Sequence, residues 1–95
     1  MELFTIRRRS NWVDVAALEA TAAKSSAEGE KMSDEVRWIR SYVVEEDDGK
    51  LGTLCVYQAT SPEAIRRHAG NTGMSADEIT KVADTVIVRE DPVAA

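Results

Sequence analysis

A single cysteine, a single histidine, two prolines and five glycines are all that this chain of 95 residues holds of the types that most constrain covalent chemistry and backbone shape. One cysteine excludes an intrachain disulfide and leaves no zinc-ribbon spacing. It fits a reducing compartment. No apolar run reaches membrane-spanning length, and Met1-Glu2-Leu3-Phe4 has no signal-like pattern, so no membrane partner and a cytoplasmic location are expected. Positive charge is scarce too: 12 Lys and Arg stand against 17 Asp and Glu, a net charge of −5. Nucleic-acid binding needs a concentrated basic surface, so it is not expected. The run Arg7-Arg8-Arg9 is the exception, but successive strand residues point to alternate faces, and it reads as a solvated strand end. No phosphate loop, HExxH, Ser-His-Asp set or Gly-rich dinucleotide fingerprint occurs, which leaves hydrolase, kinase and dehydrogenase without support.

What is present is a folding pattern. Hydrophobic residues make up 43% of the chain, enough for a core, and the length suits one small domain over residues 1–90 that gains from oligomerising. Residues 2–9 (ELFTIRRR) read as a first strand. Ser10 or Asn11 can cap a helix in which Trp12, Val15, Leu18 and Ala22 recur at helical spacing, ending at Gly29. The β-rich runs 35–46 and 51–59 flank Asp48-Gly49 and make a hairpin. Ser61-Pro62-Glu63 opens a second helix that runs to His68 or Ala69, and Ser75–Glu78 has capping-box spacing for one more helical turn. Residues 80–90 read as a last strand, and 91–95 as a flexible C-terminal tail. The order β-α-β-β-α-β predicts a ferredoxin-like α+β protomer: a four-stranded antiparallel sheet with two helices on one face. The other face is left bare and needs a partner.

The hairpin lets side chains be assigned to faces. With Asp48-Gly49 as a two-residue turn, Tyr42 meets Cys55, Arg40 meets Tyr57 and Trp38 meets Ala59, whereas a three-residue loop with a bulge would shift this pairing. On that register Trp38, Arg40, Tyr42, Thr53, Cys55 and Tyr57 share one face, suited to a lined ligand pocket. Ile39, Val43, Leu54 and Val56 form an aliphatic face suited to sheet-on-sheet packing between two subunits. His68 lies on the apolar stripe of the second helix with Ala64, Ile65 and Ala69, and so turns inward. It is then either a ligand or acid–base group in the pocket or a core residue bonded to a carbonyl or a Tyr hydroxyl. Cys55, between Leu54 and Val56, reads as an inert buried thiol.

The segments W-I-R-S-Y at 38–42, C-V-Y-Q-A-T-S-P-E-A-I-R-R-H-A at 55–69 and G-M-S-A-D-E-I at 73–79 resemble a family of small bacterial proteins of unassigned function known as nickel-responsive or nickel-binding. The resemblance spans about residues 2–88 and implies a protomer that pairs into a homodimeric α+β barrel. It also implies nickel or another divalent metal, for which His68 is the only imidazole here. One His cannot build a multi-histidine site within a protomer, so carboxylates such as Glu45, Glu46, Asp47 or Asp48, or a second protomer, would have to complete the shell. The function expected is binding of a small ligand or metal by a homodimer. The alternative, by fold-level analogy, is a barrel enzyme of the monooxygenase or haem-degrading kind using His68.

Overall fold

The computed structural model describes residues 1–93; residues 94 and 95 of the expected tail lie outside that range. The elements follow the expected order: β1 (Glu2–Trp12), α1 (Val15–Lys31), β2 (Val36–Glu45), β3 (Leu51–Ala59), α2 (Pro62–Asn71) and β4 (Glu78–Lys81). The sheet runs β2-β3-β1-β4, and all three pairings are antiparallel. This is the ferredoxin-like arrangement.

Alternation along β1 and β3 decides which face the helices cover. Phe4, Ile6 and Arg8 alternate with half-buried or exposed residues on β1, and Thr53, Cys55, Tyr57 and Ala59 do so on β3. These inward positions meet α2 through Ala64, Ile65, His68 and Ala69, the stripe that helical spacing predicts. Ser61 caps α2, its hydroxyl accepting from the Ala64 N–H at 3.2 Å, with Pro62 in the first turn. Burying Ile65 alone contributes about 1.5–3 kcal/mol. The two helices differ in how closely they seat. On α1 the residues facing the sheet include Thr21, Ala22 and Ser25, whose small side chains do not fill the gap beneath them.

Three expected boundaries move. The first strand runs on to Trp12, and α1 starts only at Val15 with Asp14 as its cap, its Oδ1 accepting from the Ala17 N–H at 2.9 Å. Trp12 therefore belongs to the strand. It pairs with Leu51 after a bulge that places Ser10 at φ 52°, and its indole N–H donates to Thr21 Oγ1 at 2.9 Å. Residues 75–77 form no helical turn and lead straight into β4. The last strand covers 78–81 rather than 80–90. Phe4 pairs with Lys81 and β1 starts at Glu2, so beyond that level β4 has no strand beside it to pair with. The Val82 N–H makes a last bond to the Leu3 carbonyl at 2.9 Å, after which Val86, Ile87 and Val88 stand exposed.

The hairpin turn takes the three-residue form. The Gly49 N–H donates to the Glu46 carbonyl at 3.0 Å and the Glu46 N–H to the Lys50 carbonyl at 2.9 Å, with Gly49 at φ 83°. This is a turn closed by a glycine bulge. It pairs Tyr42 with Leu54 and Ser41 with Cys55, one position off the two-residue register. A second irregularity, an extra residue at Ile39, shifts the strand again, so that Trp38 meets Tyr57. Two single-residue shifts cancel in parity. Trp38 keeps its expected face, while Tyr42 and Arg40 change sides and Ser41 and Val43 take their places.

Candidate ligand cavity

Between the sheet and the small-residue face of α1 lies a cavity of about 400 Å³. Its wall combines Trp12, Leu18, Ala22 and Met74 with Trp38, Val43 and Tyr57, and its polar groups are Arg8, Thr53, Cys55, Ser41 and Ser25. Apolar walls with a few converging polar groups are the usual form of a small-molecule site.

Of the residues assigned to a pocket from sequence, four come together as expected. Tyr57 is buried, its hydroxyl 3.2 Å from Ser25 Oγ, and burial pushes its phenol above the ordinary value. Trp38 stacks on Tyr57 with ring centroids 6.2 Å apart and planes 9° from parallel. Its indole N–H donates to Ser41 Oγ at 2.7 Å. Cys55 is buried, with Ser41 Oγ 3.0 Å and Arg8 Nη1 3.7 Å from its sulfur.

Arg40 and Tyr42 do not take their expected positions, and His68 takes the second of its two, that of a core residue bonded to a carbonyl. Tyr42, opposite Leu54, lies on the face away from the helices, so the pocket that placed it beside Cys55 is not formed. Its phenol donates to Asp91 Oδ2 at 2.7 Å. Arg40 borders the cavity at the bulge, but its guanidinium turns to Asp91 at 2.8 Å and to the Tyr42 hydroxyl at 3.2 Å. The expected tail is thus held at Asp91. His68 does point inward and is only 1% exposed, yet it is not among the residues lining the cavity. Its ring sits 5.6 Å from that of Tyr57, and Nε2 lies 3.0 Å from the Ser25 carbonyl, which fixes Nε2 as the protonated nitrogen and leaves Nδ1 without a partner.

Thr53 lines the cavity on the face it shares with Cys55 and Tyr57, as expected, whereas Arg8 does not take its expected place. Arg8 was read with its neighbours as a solvated strand end. Parity splits the run instead: Arg7 pairs with Glu46 at 2.8 Å, Arg9 with Glu78 at 2.9 Å, and Arg8 goes inward after Phe4 and Ile6. The period-2 pattern of β1 carried that signal.

Within one protomer the donors of the described residues do not assemble a nickel shell. Among the described residues no group of three or more His, Cys, Asp or Glu lies close enough to hold a metal ion. The acidic run at 45–48 forms the hairpin end, where Glu46 is taken by Arg7 and by the Ser10 N–H, and Asp48 Oδ1 accepts from the Lys50 N–H. Among those residues, too, no helix is long and apolar enough to cross a membrane.

A family model described as "Nickel responsive protein SCO4226-like" matches residues 4–82. The fold is also that of a crystal structure of SCO4226 from Streptomyces coelicolor A3(2), with a TM-score of 0.69 and 20% identity, covering 88% of this chain and 99% of that one. No curated protein sequence matches.

Proposed function

The chain belongs to the SCO4226-like family of nickel responsive proteins, and from that premise we propose that it is a small-ligand binding protein whose ligand occupies the cavity beneath α1. The observation that carries this reading is the gap itself. A core normally fills to crystal-like density, yet here Thr21, Ala22 and Ser25 leave about 400 Å³ open against an indole, a phenol and a buried guanidinium. Nickel enters this reading as the family's description, not as an ion held by His68, because that imidazole is buried behind Tyr57 and already bonded to Ser25. The test is a screen of small aromatic and aliphatic probes by ligand-detected NMR against the full chain and against Ala22→Phe, which fills the cavity from α1. Binding to the native chain that Ala22→Phe abolishes supports the site. Equal binding to both proteins, or to neither, removes it.

The protein is further proposed to work as a homodimer, a second copy covering the open face. Two features support this occupant. Tyr42 and Leu54 lie exposed on that face, and the β-prone Val86-Ile87-Val88 segment, with Ile87 73% exposed, pairs with no strand of its own sheet. Sedimentation equilibrium measures the outcome directly.

A further inference from the structure

Among the described residues no counter-charge meets Arg8, whereas Arg7 and Arg9 of the same run are paired. It is 4% exposed, and its hydrogen bonds are from Nε to the Ser75 carbonyl at 2.9 Å and from Nη1 to the Cys55 sulfur at 3.7 Å. Nη2 has no partner. Neither has the hydroxyl of Thr53, itself 3% exposed. Both residues line the cavity, and they are cross-strand partners in the β1–β3 register, so the two vacant groups emerge side by side on one face. Salt bridges join Arg7, Arg9, Arg40, Arg66 and Arg67 to carboxylates, and none among the described residues reaches Arg8. Acids are not in short supply in a chain of net charge −5. A buried, unpaired charge is strongly unfavourable, and a sequence normally removes it or pairs it.

We propose that the cavity takes a small monocarboxylate with an apolar body, its carboxylate held by Arg8 Nη2 and Thr53 Oγ1. This rests on reading the cavity as a ligand site and narrows it to a chemical class. The guanidinium presents fixed N–H donors that match a carboxylate, and the hydroxyl beside it supplies another. One cation offsets one negative charge, so a monoanion suits this site better than a phosphate monoester. Trp12, Leu18, Ala22 and Met74 suit the hydrocarbon part of the same molecule. Cavities of a few hundred cubic ångströms are of ligand size.

The experiment uses two probes of one shape, 1-naphthaleneacetate and its uncharged analogue 1-naphthaleneacetamide, titrated calorimetrically into the full chain at fixed ionic strength. The acid is expected to bind about tenfold or more tighter than the amide, the worth of one charge-assisted hydrogen bond. Arg8→Met keeps the bulk and removes the charge. It should erase the preference, bringing the acid down to the affinity of the amide, and without ligand it should unfold at the same or a higher temperature than the native chain. If Arg8→Met does not fold, Thr53→Val carries the test, with acid binding expected to weaken several-fold and by more than amide binding, so that the preference narrows. Equal affinity of the native chain for acid and amide overturns the carboxylate assignment and leaves the cavity reading intact. A preference that survives Arg8→Met overturns it equally. If neither probe binds, both readings fall.

Discussion

Replacing His68 by Ala separates its two roles, as core residue or as metal ligand. The imidazole is 1% exposed, packs 5.6 Å from the Tyr57 ring and bonds the Ser25 carbonyl at 3.0 Å, so it ties α2 to both α1 and β3. Truncating a large buried aromatic to Ala costs about 3–5 kcal/mol, and the smaller, more polar ring should cost about 2–4 kcal/mol, lost hydrogen bond included. At about 4–8 °C per kcal/mol for a domain of this size, the melting temperature should fall by roughly 8–30 °C. Denaturant unfolding followed by circular dichroism measures the loss, which is read as stability if the slope with denaturant is unchanged. The nickel arm is the sharper half. A ligand present at a hundred times its dissociation constant adds about 2.7 kcal/mol to the folded state. Added nickel should raise the stability of the native chain no more than that of the variant, because this imidazole is committed to the core. A loss under about 1 kcal/mol, or a nickel gain that disappears with His68, would refute the reasoning.

Other perturbations test the rest of the frame. The Arg7 hydrogen bond holds the Glu46 carboxyl below its usual range, and Glu35, Glu78 and Asp48 are depressed in the same direction by their own hydrogen-bond partners. A depressed folded-state value means that the stabilisation is present above the unfolded value near 4.3 and is lost as pH falls through the lower, folded one. Glu46→Gln should therefore flatten the acid side of a melting-temperature profile and leave the plateau above pH 6 near level. Leu54→Glu should turn a dimer into a monomer in sedimentation equilibrium, and unchanged mass would remove the open face as the interface. Gly49→Ala, at φ 83° with open space around it, should cost roughly 1 kcal/mol by chemical denaturation, the backbone penalty alone. Gly52→Ala should cost more, since its Cβ would press on the Arg8 carbonyl oxygen at 2.5 Å, a backbone atom with little room to move.

Local signals in the sequence were enough wherever one element decides its own structure. Ser61-Pro62-Glu63 opened α2 as its capping chemistry requires, and the Ala64, Ile65, His68 and Ala69 stripe faced inward because helical spacing fixes a face without reference to anything else. The element order followed in the same way, and with it the fold. Strand faces are different, because their period of two makes them hostage to any single inserted residue. The glycine bulge at the turn shifted the register by one, which moved Tyr42 out of the cavity and brought Ser41 in, and the extra residue at Ile39 shifted it again and returned Trp38 to its face. The buried state of Arg8 was written in the alternation Phe4, Ile6, Arg8, but its charge masked it. Its lack of an acid partner depends on where every carboxylate comes to rest. The cavity likewise needed the tertiary structure, since small residues on a helix show only that space could be left, and the seating of α1 over the sheet decides that it is.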